Sequence, residues 1–116
     1  MPRAERQRLT LAAHFALQAL LAGEPQDAWL DLPAAAGVAT ELLVGREVNA
    51  DVLRAVERAV AALLDTAGLP TPTDEVKTAC VAFLPYFEAI LAATTYRRLI
   101  HAQRVALAAW QAQAAT

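Results

Sequence analysis

Glycine and proline in this chain stand mostly where a helix can stop. Gly23 is followed two residues later by Pro25, Gly45 closes the run before it, and Gly68 is followed by Pro70 and Pro72. A glycine just past the last periodic residue, with proline beyond, is a C-terminal helix signal. Between these marks lie stretches of alanine and leucine, which give up little freedom on entering a helix. Alanine alone fills 29 of 116 positions. The chain therefore reads as all-α: a compact bundle of four to five helices, one domain over residues 1–116. Another 37 residues are larger hydrophobes, enough for one core and too few for a membrane bundle.

The spacing predicts a first helix from Arg3 to Ala22. Gln7, Thr10, His14 and Gln18 form a narrow polar stripe, and Leu9, Leu11, Ala13, Phe15, Ala16, Leu17, Leu20 and Leu21 occupy the remaining arc. So wide an apolar arc places a helix centrally or gives it a second partner on its outer side. A connector over residues 24–33 follows, with Trp29 and Leu30 as anchors and Asp27 or Asp31 as a cap. The second helix spans about Pro33–Val44 and holds Gly37 inside it. Asn49 caps a third, whose apolar face is Val52, Leu53, Val56, Val60, Leu63, Leu64 and Ala67. Thr73, followed by Asp74 and Glu75, caps a fourth. That helix repeats Val76, Cys80, Phe83, Phe87 and Ile90 at core spacing, so the thiol is expected to be buried and inert. Pro85 lies within it and should kink it, because its ring clashes with the carbonyl of Val81. The pair Thr94–Thr95 weakens helix locally. The last helix is thus expected to be long and kinked near Pro85, reaching toward Gln113 or breaking near 94–96.

Charge is unevenly laid out within a net of −2. Residues 1–23 carry +2, residues 24–88 carry −7, and residues 89–116 carry +3 with no acid. Arg3, Arg6, Arg8, Arg97, Arg98 and Arg104 could make one basic surface if the chain ends meet, and nucleic acid is the partner such a surface would suit. The plainer expectation is that these terminal helices dock on the acidic middle. The longest uncharged apolar run, Leu9–Gly23, is too short to span a bilayer and contains His14 and Gln18. The N-terminus mimics a signal peptide, but Glu5, His14, Gln18 and the want of an A-x-A site before Glu24 oppose that reading. A lone cysteine requires no oxidising compartment, and the expected location is a bacterial cytoplasm.

The string from Asp31 to Leu43, DLPAAAGVATELL, resembles the turn of bacterial helix-turn-helix repressors, in which a short helix ends at Gly-Val and a recognition helix begins. The resemblance covers 13 of 116 residues. It implies a degenerate DNA-binding unit over residues 31–47, with Gly37–Val38 in the turn. Pro33 and the acids Glu41 and Glu47 depart from that pattern and leave only Arg46 for phosphate.

Other chemistry finds little support. His14, His101 and Cys80 are far apart, with no C-x-x-C, H-x-x-x-H or E-x-x-H spacing, so neither a metal nor a cofactor is expected. No nucleophile elbow, phosphate-cradling glycine loop or paired acids in a cleft can be placed, so the expected function is non-catalytic. A pocket for a small apolar ligand beside Tyr86 and Phe87, opened by the Pro85 bend, is a further alternative. Trp110, near the C-terminus, serves either as an interface anchor or as a lid on the core. Two end segments this apolar favour a homodimer, with Leu11, Phe15, Tyr96, Ile100, Leu107 and Trp110 as interface residues and an unidentified partner protein for an accessory, inhibitory or regulatory role.

Overall fold

The computed structural model describes residues 2–67, 69 and 71–114. All regular structure among them is helical: α1 (Arg3–Leu21), a 3-10 turn (Gln26–Trp29), α2 (Asp31–Leu43), α3 (Ala50–Thr66), α4 (Asp74–Ala92) and α5 (Tyr96–Ala114). The Cα radius of gyration, 13.5 Å, is that of a compact chain of this length. No helix among the described residues is long and apolar enough to cross a membrane.

The stops work as their residue types require. Gly23 takes φ +77° after α1; its N–H donates to Leu20 O and that of Glu24 to Ala19 O, which satisfies two terminal carbonyls. Gly45 takes φ +71° in a tight turn closed by Arg46 N–H on Leu43 O. Asn49 and Thr73 accept from the backbone N–H of Asp51 and Val76 and so cap α3 and α4. Gly68 and Pro70 lie outside the described residues.

The start of α2 differs from the expectation. Leu30 is already helical at φ −61°, ψ −21°, so the 3-10 turn feeds directly into α2; Pro25 precedes that turn, and neither Asp27 nor Asp31 caps it or α2 with its side chain. Trp29 is the anchor: it is buried and its indole N–H donates to Glu24 O at 3.0 Å. Leu30 is not, being 42% exposed.

The chain also breaks between residues 93 and 96. Thr94 Oγ1 donates back to Ile90 O at 2.6 Å, and Thr95 Oγ1 accepts from the backbone N–H of Arg98 at 3.3 Å. One threonine thus closes α4 while the next caps α5. The last helix begins at Tyr96, and Pro85 belongs to the helix before it.

α2 is the hub and packs against all four other helices. Its inward residues include Ala35, Ala36 and Ala39, small enough to let neighbours approach. With its own Leu32 and Leu42 lie Leu20, Trp29, Val56, Val76, Phe83, Leu84, Phe87, Leu91 and Leu99 from the surrounding elements, all buried. Phe83 and Phe87 stack with ring centroids 5.6 Å apart.

The buried arc of α3 is rotated from the predicted face. Val56 and Leu63 are buried with Ala59, Ala62 and Thr66, whereas Leu53, Leu64 and Ala67 are exposed. α3 packs against both α2 and α4, and Ala59 and Ala62 share that buried arc with Val56 and Leu63. Thr66 is tolerated inside because its hydroxyl donates to Ala62 O at 2.9 Å.

Candidate interaction surfaces

α1 leaves two of its large apolar residues on the outside. Ala13, Ala16 and Leu20 point inward, and the polar stripe runs along the α4 flank, where His14 Nε2 meets Glu88 Oε1 at 2.5 Å. The side opposite the core holds Leu11 and Phe15, four residues apart, which are 55% and 68% exposed.

α5 is anchored at one end. Leu99 and Ala102 are buried, the guanidinium of Arg98 donates to Leu42 O at 3.3 Å, and a Cβ on Gly37 would lie 3.5 Å from Ala106 Cβ. These contacts make α5 antiparallel to α2. Past Ala106 the helix leaves the body: every residue from Leu107 to Ala112 is exposed on all sides of the helix. Trp110 is 54% exposed. Of the six expected interface residues, Leu11, Phe15, Tyr96, Leu107 and Trp110 are exposed and Ile100 is half-buried. They lie on two helices, α1 and α5.

The terminal arginines are divided in their use. Arg8 is held by Glu5, one turn away, which pulls the Glu5 carboxyl below its ordinary range. Arg98 is engaged with α2, while Arg97 and Arg104 stand exposed on α5. Arg3 and Arg6 line a groove of about 600 Å³ between α1 and α4, with Gln7, Thr10, Leu11, Glu88, Leu91 and Ala92.

A second groove, of about 300 Å³, separates α2 from α3. Thr40 and Leu43 form one wall; Leu53, Val56, Glu57, Val60, Ala61 and Leu64 form the other. Sequence reading misses this groove because it assigns Leu53 and Leu64 to the core. Neither groove is lined by Tyr86 or Phe87; Phe87 is buried against Phe83.

Residues 31–43 form a single helix, with Gly37 in its interior and positive φ confined, among described glycines, to Gly23 and Gly45. The turn that a helix-turn-helix places at Gly37–Val38 is therefore not formed. Cys80 is fully buried between α4 and its neighbours, and burial pushes its thiol up to about 12. Among the described residues no three or more His, Cys, Asp or Glu side chains gather as a metal site would require.

Compared with known protein families, curated proteins and solved structures, the chain finds no match.

Proposed function

We propose that this chain is a non-catalytic protein-interaction module, one helical domain that pairs with a second copy of itself and serves an accessory, inhibitory or regulatory role in a bacterial cytoplasm. The observation that supports it most directly is the unsupported end of α5. A helix of two turns with no tertiary backing is marginal in water, because propensity barely repays the ordering of its backbone. Leu107 and Trp110 on such a segment are apolar surface waiting for cover, and large aromatics are favoured anchors of interfaces. Leu11 and Phe15 on the outer side of α1 present a second such surface.

In this reading Pro85 bends α4, since its ring takes away the bond to Val81 O, and the bend helps set the direction in which α5 leaves the body. Duplex binding by the terminal arginines is the weaker alternative, because Arg8 and Arg98 already have partners within the fold.

Light scattering on the eluting full-length protein tests the proposal. The mass should be that of two copies, and Leu107→Asp or Trp110→Ala should halve it. A single-copy mass across the whole concentration series would remove the self-association reading. Retention on duplex at low salt, lost steeply as salt rises, would favour the arginine surface instead.

A further inference from the structure

We infer that the groove between α2 and α3 receives the C-terminal end of α5 from a second copy of this chain, so that two copies exchange tails. This deepens the self-association reading and rests on it.

The groove has the shape of a helix seat. Leu53, Glu57, Val60 and Leu64 recur at four-, three- and four-residue steps along α3, giving one continuous wall, and Leu43 faces them from α2. Leu53 is 42% exposed and Leu64 62% exposed, so the wall stands open. Amphipathic helices bind such grooves through anchors spaced three or four residues apart, and Leu107 and Trp110 have that spacing.

A chain cannot fill its own groove. Arg98 lies at Leu42 and Ala106 at Gly37, so α5 runs from the C-terminal end of α2 toward its N-terminal end. The tail beyond Ala106 continues in that direction, whereas the groove flanks Thr40 and Leu43 at the other end of α2. The occupant must therefore come from outside.

Charge selects α5 as that occupant. On α3, Arg54 is taken by Asp51 and Arg58 by Glu75, which leaves Glu57 and Asp65 without an ion pair among the described residues. α5 contains no acid, and its Arg97 and Arg104 have no ion pair among the described residues. Glu57 stands on the groove wall and Arg104 lies one turn before Leu107, so an unpaired acid meets an unpaired base as the tail seats, which steers the approach. Where a two-fold axis relates the copies, each tail enters the other's groove and the two contacts close into a pair.

Complementation between two full-length variants tests this. Leu64→Asp spoils the groove and Trp110→Asp spoils the tail; both sites are exposed, and circular dichroism checks that each variant keeps its helices. Each variant alone should have the mass of one copy. An equimolar mixture should recover a two-copy complex, because the Trp110→Asp groove still accepts the Leu64→Asp tail. If Leu64→Asp does not fold, Leu53→Asp replaces it. A Leu64→Asp protein that pairs like the wild type overturns the groove assignment while leaving self-association standing. Two single-copy variants whose mixture stays unpaired overturn it as well, and point to a face-to-face contact of like surfaces. A wild type that never pairs overturns both readings.

Discussion

α4 and α5 are the same length, 19 residues each, and meet opposite fates. α4 packs against α1, α2 and α3 and buries eight side chains, from Val76 to Leu91. α5 packs mainly on α2, buries Leu99 and Ala102, and leaves its last turns uncovered. Both segments are rich in helix formers. The difference lies in the size of the residues that recur at core spacing: Val, Cys, Phe, Phe and Ile along α4, against one leucine and one alanine facing inward from α5. Helix propensity brings both elements into being, but only buried area holds one in place.

The largest effect should come from cutting that buried area. Phe83→Ala removes a fully buried ring stacked on Phe87 and should lower stability by about 3–5 kcal/mol. Leu107→Ala, on the exposed end of α5, should change it by less than about 0.5 kcal/mol when measured on single copies. Urea unfolding of the two variants at low protein concentration decides the matter. Equal losses would mean that α5 is as deeply engaged as α4.

Cysteine chemistry sharpens the same contrast without disturbing the core. Cys80, buried with its thiol pushed up to about 12, should react with a disulfide reagent only through unfolding, slower than a free thiol by at least roughly a thousandfold. A cysteine introduced by Leu107→Cys should react at close to the free rate. The raised value also carries a pH dependence. The folded thiol ionises later than the unfolded one, so its contribution to stability is complete below the ordinary value of 9.0 and is lost as pH rises from there toward 12. The Cys80→Ala variant should show less of that alkaline decline.

Much of this fold was legible in the chain because the informative residues act locally. Gly23 and Gly45 stop helices through their own φ, and Asn49 and Thr73 cap through bonds reaching two or three residues. The threonine pair was readable as a weak point, and its division into a stop and a cap follows from the side-chain bonds each makes. What resisted reading was the rotation of α1 and α3 about their axes; on α4 the expected face, Val76 to Ile90, is the buried one. Leu53 and Leu64 look like core on spacing alone, but α3 is wedged between two neighbours and turns its alanines inward. Leu11 and Phe15 likewise outrank Ala13 and Ala16 in hydrophobicity, yet the alanines are buried with Leu20, and small side chains let packed helices approach closely. In an alanine-rich chain the leucines left outside are therefore the candidate contact surfaces, and no local pattern reveals which they are.

Glycine 37 offers a finer probe of how tightly α5 sits on α2. A methyl group there would meet Ala106 at 3.5 Å, an ordinary contact, and the backbone is already helical. Gly37→Ala should therefore raise stability by about 0.5–1 kcal/mol through helix propensity. Gly45→Ala should lower it by about 1 kcal/mol or more, because φ +71° is strained for any side chain. If Gly37→Ala destabilises instead, α5 packs more closely on α2 than a 3.5 Å approach allows.

The smallest effect concerns the ion pair that ties α3 to α4. Arg58 Nε and Nη2 donate to the two oxygens of Glu75 at 2.9 and 3.3 Å. The guanidinium holds the Glu75 carboxyl below its ordinary value of 4.5. A carboxyl depressed in the folded state stabilises above the unfolded value, and that contribution disappears as pH falls through the folded one. Glu75→Gln should therefore unfold slightly earlier than the wild type at neutral pH, and the gap should close below the ordinary carboxylate range. Both groups are exposed, so moderate salt should shrink the gap as well. A gap that persisted in acid would mean that Glu75 acts through packing rather than charge. The seam between α3 and α4 would then rest on apolar contact, with the His14–Glu88 contact left as the polar tie between α4 and α1.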